Sequence, residues 1–171
     1  MRPDFDLLLQ RYESGQLSRR ELLGALAIMC VPFKSGSGME PAIGTAKTMN
    51  HVTCRVSDVA RSQKFYQELF GMPVLTQQAP GVNLRVGGSF LGLYPVDAGD
   101  APRIDHLCLG LDQFDADGTR EKLAARGLNA TIRLRGDTKE LYFTDPDGLR
   151  VQLQDVRYRG GVGPIGDKDP T

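Results

Sequence analysis

From His51 to Asp58 the chain reads His-Val-Thr-Cys-Arg-Val-Ser-Asp, with polar and apolar residues alternating. In a strand, successive side chains point to opposite faces, so Val52, Cys54 and Val56 share one side and His51, Thr53 and Arg55 the other. The period then changes. Residues 58 to 70 carry apolar positions at helical spacing and end at Gly71, a residue suited to the left-handed stop of a helix. The same switch recurs downstream. Asp105-His-Leu-Cys-Leu-Gly-Leu-Asp112 alternates, and a helical stretch follows as far as Gly127. An Asp is placed to cap or begin each helix.

Short β-like runs follow each helix. In the first copy they are 73–75, 82–86 and 89–96, the last pair joined by Gly87-Gly88; in the second they are 130–134, 140–144 and 149–154, the last pair joined by Asp147-Gly148. The chain is thus two βαβββ units in tandem, with His51 and His106 at equivalent places 55 residues apart. The expected class is α+β. The modules are 48–97 and 103–156 within a domain of 48–156, and 157–171 is expected to be a flexible tail.

Residues 1–47 differ. Two helical stretches, 4–13 and 18–32, precede a Gly-, Ser- and Pro-containing linker at 34–47. Ser18-Arg19-Arg20-Glu21-Leu22-Leu23 resembles a twin-arginine export signal, which implies an exported, periplasmic protein. The same letters form a capping box that would start an amphipathic helix, with the protein then cytoplasmic.

Composition excludes much. With 21 Lys+Arg and 21 Asp+Glu the formal net charge is zero, and no basic run offers a footprint for nucleic acid. No apolar stretch reaches the roughly 20 residues of a membrane-spanning helix, so no stable membrane insertion is expected. Three widely spaced cysteines, Cys30, Cys54 and Cys108, make neither a disulfide framework nor a zinc cluster.

The chain has two histidines, and they fall at matching repeat positions. Alternation places Cys108 and Gly110 with His106. It places Arg150, Gln152 and Gln154 opposite the apolar Leu149, Val151 and Leu153, and Tyr142 opposite Leu141 and Phe143. Two such units face to face would gather these polar residues on one concave surface. Neutral imidazoles suit Fe, Mn, Zn or Ni as divalent ions. Arg55, Arg85 and Arg150 have the parity to clamp an anionic substrate, while Phe90 and Tyr94, flanking Gly92, would line an apolar pocket. Cys108 reads as a buried filler rather than a ligand or nucleophile. The concave face shows histidines and arginines but no clear carboxylate.

Asn50-His51-Val52-Thr53-Cys54-Arg55-Val56-Ser57-Asp58, Phe65-Tyr66 and Leu69-Phe70-Gly71, together with Asp105-His106-Leu107 and the run Tyr142 to Leu153 with its Asp-Pro-Asp-Gly turn, resemble the vicinal oxygen chelate superfamily. That superfamily includes glyoxalase I, extradiol dioxygenases, methylmalonyl-CoA epimerase, and the fosfomycin- and bleomycin-resistance proteins. The resemblance implies a cupped mixed β-sheet with helices outside. It also implies a divalent metal held by His51, His106 and Gln152, a small-molecule substrate with adjacent oxygens, and a homodimer. Tyr142 matches the cavity-facing tyrosine before the turn and would bind substrate or move a proton.

In the resemblance Gln152 stands where a Glu is usual, and Gly92 occupies the matching place in the first unit. Neither can serve as the carboxylate base of glyoxalase or epimerase chemistry. The expectation is a metal-dependent lyase or dioxygenase; the alternative is a metal-free binding protein of the bleomycin-resistance branch.

Overall fold

The computed structural model describes residues 10–16, 18 and 42–168. The chain divides into two units, 1–40 and 41–171. Of the first, residues 10–13 are helical and the turn ends at Gly15, whose φ is +75°. The twin-arginine-like segment, apart from Ser18, lies outside the described residues. Among those described, no helix is long and apolar enough to cross a membrane.

The second unit carries both modules. In the first, β1 (Ala46–Val56) leads to α1 (Val59–Phe70), then β2 (Val74–Gln78), β3 (Gly81–Val86) and β4 (Ser89–Pro95). In the second, β5 (Arg103–Leu111) leads to α2 (Ala116–Ala124), then β6 (Thr131–Arg135), β7 (Thr138–Thr144) and β8 (Arg150–Asp155). The βαβββ repeat read from the alternation is therefore present, as the α+β class requires.

Local signals act where the pattern placed them, with one shift. Asp58 caps α1, its side chain accepting from the Arg61 amide at 2.9 Å, and Gly71 ends the helix at φ +63°. In the second module the cap is Asp115, not Asp112; its carboxylate accepts from the amides of Asp117 and Gly118. Asp112 lies in a turn one residue past the end of β5, and the helix waits for the next Asp able to bond its own first turn.

All eight strands form one sheet in the order β2-β3-β4-β1-β5-β8-β7-β6. Each module pairs its first and last strands in parallel, β1 with β4 and β5 with β8. The modules meet through the antiparallel pair β1–β5. Helices cover one face. Val82, Leu84 and Leu93 form a buried cluster with Tyr66 and Val59 of α1 packed against it. Leu111, Leu141, Val151 and Leu153 form another with Ala116 and Leu123 of α2. Leu149, expected with the apolar set of β8, lies just before the strand and is exposed.

The segment after β8 departs from the expected flexible tail. Val162 and Lys168 form an antiparallel bridge, and Tyr158 is buried. Gly160, at φ +74°, lets the backbone pass against Asn83 where a Cβ would collide. Its small residues allow close approach rather than freedom.

Because the two clusters share no residue, each module has its own core. Leu84→Ala and Leu141→Ala are each expected to cost about 2–5 kcal/mol. Their double variant should equal the sum of the two within about 0.5 kcal/mol in denaturant unfolding. Strong non-additivity would contradict two separate cores.

Candidate metal and ligand site

The register of the central strands builds the site. Across β1–β5, His51 lies opposite Cys108 and Thr53 opposite His106. Across β5–β8, Cys108 is beside Gln152, and across β7–β8, Gln152 is beside Tyr142. On the other flank His51 is beside Phe90 of β4. One transverse row of the sheet therefore reads Phe90, His51, Cys108, Gln152, Tyr142. The turn before β8 fixes its start: Asp145 Oδ1 accepts from the amides of Asp147 and Leu149, and Gly148 takes φ +83°.

These residues surround a cavity of about 290 Å³ on the face away from the helices. His51, Arg55, Phe90, Tyr94, His106, Tyr142, Arg150 and Gln152 all line it, as the alternation predicts. Arg85 does not. It has the right parity but lies at the exposed end of β3, beside the Gly87-Gly88 turn. Cys108 is fully buried, and burial pushes its thiol well up, as befits a filler.

The two rings meet edge to edge. His51 Nε2 and His106 Nε2 are 3.3 Å apart. His51 Nδ1 donates to Asn50 Oδ1 at 2.9 Å, and Asn50 is itself oriented by donating from Nδ2 to the Tyr158 carbonyl. His106 Nδ1 donates to Asp105 Oδ2 at 2.6 Å. With Nδ1 committed as a donor, each ring in its neutral form presents a lone pair at Nε2, and in that form the two lone pairs face each other. Burial first, and then the neighbouring His106, hold His51 well below the usual imidazole range, so His51 Nε2 is an acceptor. The Gln152 carboxamide interacts with His51, and its Nε2 is buried with no hydrogen-bond partner. Two Nε2 atoms side by side, each ring fixed by a bond at its far nitrogen, with a carboxamide beside them, fit a divalent cation.

The first module offers one candidate ligand, His51. A Cβ at Gly92 would lie 3.0 Å from Thr53 Oγ1, 3.1 Å from the Tyr94 ring and 3.2 Å from Asn83 Oδ1. That space is already filled. Phe90 stacks on His51 with ring centroids 4.2 Å apart. Among the described residues no group of three His, Cys, Asp or Glu side chains could hold a metal ion, so a third protein donor beside the two histidines would have to be of another type, such as the Gln152 carboxamide.

The expectation of a concave face without carboxylates is corrected. Asp105 and Glu140 both line the cavity. Asp105 accepts from His106, from Arg150 Nη1 at 2.8 Å and from Arg55 Nε at 3.4 Å. The His106 bond leads in holding its carboxyl far below the usual range. Arg150 also lies over the Tyr142 ring, 4.2 Å from its centroid. Both arginines are thus anchored, not free.

Glu140 is 1% exposed and accepts from Arg135 Nε at 2.8 Å, Tyr158 Oη at 2.7 Å and Tyr142 Oη at 2.9 Å. Burial alone would raise its pKa, but the Arg135 charge and these bonds outweigh it and hold it below the ordinary value. Arg135 also donates to Gln78 Oε1 at 2.7 Å, and Gln78 in turn donates to the Gly160 carbonyl. This chain of bonds ties the two modules and the C-terminal segment together across the cup. Glu140 had a legible signal, since it precedes Tyr142 by two and shares its face. Asn83 had the parity of Arg85. Tyr158 had none, because no periodicity surrounds it.

Glu140 sets a pH dependence. A carboxylate whose folded pKa lies below its ordinary 4.5 contributes stability that is fully present above about pH 4.5 and is lost as pH falls through the lowered value. Glu140→Gln removes that contribution and leaves its donors without their anion, at a cost of about 1–3 kcal/mol at pH 7. Acid unfolding followed by circular dichroism should then be less steep below pH 4.5. An acid limb as steep as the parent's would contradict the assignment.

The site stands on a recognisable frame. The family model of the Glyoxalase/Bleomycin resistance protein/Dioxygenase superfamily matches residues 48–153. A protein named metallothiol transferase FosB from Lysinibacillus sphaericus is 31% identical over 118 residues, covering 64% of this chain and 82% of that protein. Glutathione transferase FosA from Serratia marcescens is 24% identical over 115 residues, covering 63% and 79%. Methylmalonyl-CoA epimerase from Mycobacterium tuberculosis shares the fold, with a TM-score of 0.54 at 19% identity, covering 64% of this chain and 88% of that one. The 2,3-dioxygenase LapB from Pseudomonas sp. KL28 gives 0.54 at 20% identity, covering 66% of this chain but 42% of its own. The curled eight-stranded sheet and the matched span together place the chain in the Glyoxalase/Bleomycin resistance protein/Dioxygenase superfamily.

Proposed function

We propose that the chain is a divalent-metal-dependent enzyme acting on a small oxygen-chelating anion, with His51 Nε2, His106 Nε2 and the Gln152 carboxamide oxygen as the protein's ligands. The observation that carries this reading is the pair of Nε2 atoms at 3.3 Å, each left as an acceptor by the bond at its Nδ1. Fe, Mn, Zn and Ni are the ions that suit two imidazoles. The bound ion would supply Lewis-acid polarisation of a chelated oxygen. Three neutral ligands leave its full charge available to an anion.

The protein's own groups do the rest. Asp105 fixes the tautomer of His106 and holds Arg55 and Arg150 at the rim, where their remaining N–H donors orient the anionic end of a substrate. Tyr142 keeps its proton. Burial and Glu140 both push its phenol up, so it is a binding group and not a base. Both carboxylates are engaged by several donors, which disfavours a proton-abstraction route. Attack of an external nucleophile on the chelated molecule therefore fits better than lyase chemistry that begins with proton abstraction. The names of the metallothiol and glutathione transferase relatives favour the same class. Every proposed ligand comes from one chain, so the homodimer expected from sequence is not needed to complete the site.

The alternative, a metal-free binding protein, draws on Gln152 in place of a carboxylate and on Phe90 stacked over His51. Metal analysis of protein purified without chelator separates the two. Stoichiometric metal, lost in His51→Ala and bound more tightly in Gln152→Glu, is the expected result. Metal-free parent protein whose ligand binding survives His51→Ala would overturn the enzyme reading.

A further inference from the structure

The hydrogen-bond polarity of the cavity wall says more about the ligand than its charge does. Tyr142 and Tyr158 both line the cavity, and they flank the histidine pair from two sides. The Tyr142 ring lies 5.3 Å from that of His106, edge to face, and the Tyr158 ring lies 5.6 Å from that of His51. Each phenol has one proton, and each gives it to Glu140, at 2.9 Å and 2.7 Å respectively. Glu140 is an anion clasped by Arg135, so it cannot donate in return. A phenol whose proton is committed can still accept. Any hydrogen bond from these two side chains to a ligand is therefore one that the ligand donates.

Other groups lining the site have the reverse polarity. Arg55 and Arg150 can only donate, and the metal of the proposed function would accept lone pairs. Resting on that reading, we propose that the cup selects a hydroxylated carboxylate: a chelating acid with a further hydroxyl group one or two carbons away, which donates to Tyr142 or Tyr158. A hydroxyl suits the wall better than an ammonium. Glu140 is already neutralised by Arg135, Arg133 approaches it at 3.9 Å, and Arg150 lies over the Tyr142 ring, so a ligand cation would meet guanidinium groups. A cavity of about 290 Å³ admits a small acid of this kind.

Three acids that share one chelating head test the proposal: lactate, glycerate with an added 3-hydroxyl, and isoserine with a 3-ammonium. Calorimetric titration into the zinc-loaded full chain should show glycerate binding about 2–12-fold tighter than lactate, the size of one net hydrogen bond. Isoserine should bind more weakly than glycerate. At least one of Tyr142→Phe and Tyr158→Phe should narrow the glycerate-to-lactate ratio, whatever it does to absolute affinity, and a ratio unchanged in both would overturn the inference. Equal affinities for glycerate and lactate, both requiring zinc, would overturn this inference and leave the metal-chelate reading standing. Isoserine binding tighter than glycerate would overturn the choice of hydroxyl. Binding that ignores zinc, or no binding by any of the three, would overturn both the inference and the chelate reading beneath it.

Discussion

In the antiparallel ladder between β1 and β5, Thr53 sits opposite His106 and His51 opposite Cys108. This is the pairing that joins the two modules and the one that brings the two imidazoles within 3.3 Å. A slip of one residue would turn one histidine towards the helices and bring a Val or Leu into the cup. The register is held by burial on the helix side, where Cys54 and Val56 of β1 and Leu107, Leu109 and Leu111 of β5 pack into the two apolar clusters. Apolar packing on one face thus sets polar geometry on the other. The link from core to chemistry runs through strand alternation.

On the concave face, charge is balanced locally and in two places. Asp105 collects one histidine and two arginines; Glu140 collects one arginine and two phenols. Each carboxylate is a hub that orients its neighbours and neutralises charge that would otherwise be unpaired in a partly dry cavity. The Glu140 hub also clasps the chain together. Through Arg135 and Gln78 it joins the second module to the first, and through Tyr158 it joins the C-terminal segment to both. The functional pocket and the inter-module clasp share the same atoms, so substitution at Glu140 should disturb stability and binding at once.

The repeat, the helix at 59–70 and the inward parity of His51, His106, Gln152 and Tyr142 were legible because period-2 and period-3.6 patterns record which face is buried. Parity alone does not say how far across the sheet the cup extends. Arg85 has the correct face and, opposite Phe90, the same level as His51, but it sits two strands out, next to the edge strand. The same limit hid the hubs: Asp105 and Glu140 share faces with visible candidates or neighbour them, but which carboxylate meets which arginine depends on non-local pairing. Tyr158 and Gly160 were illegible for another reason. Their placement comes from a glycine-rich return of the backbone, whose positive φ values and close approaches leave no periodic trace.

The central claim is that two imidazoles and a carboxamide oxygen of this one chain hold a metal. X-ray absorption at the zinc edge of zinc-loaded protein tests it most directly. The account predicts a first shell of nitrogen and oxygen alone at about 2.0–2.2 Å, with the outer-shell scattering of two imidazole rings. A sulfur scatterer at about 2.3 Å, or the signature of fewer than two imidazoles, would contradict it.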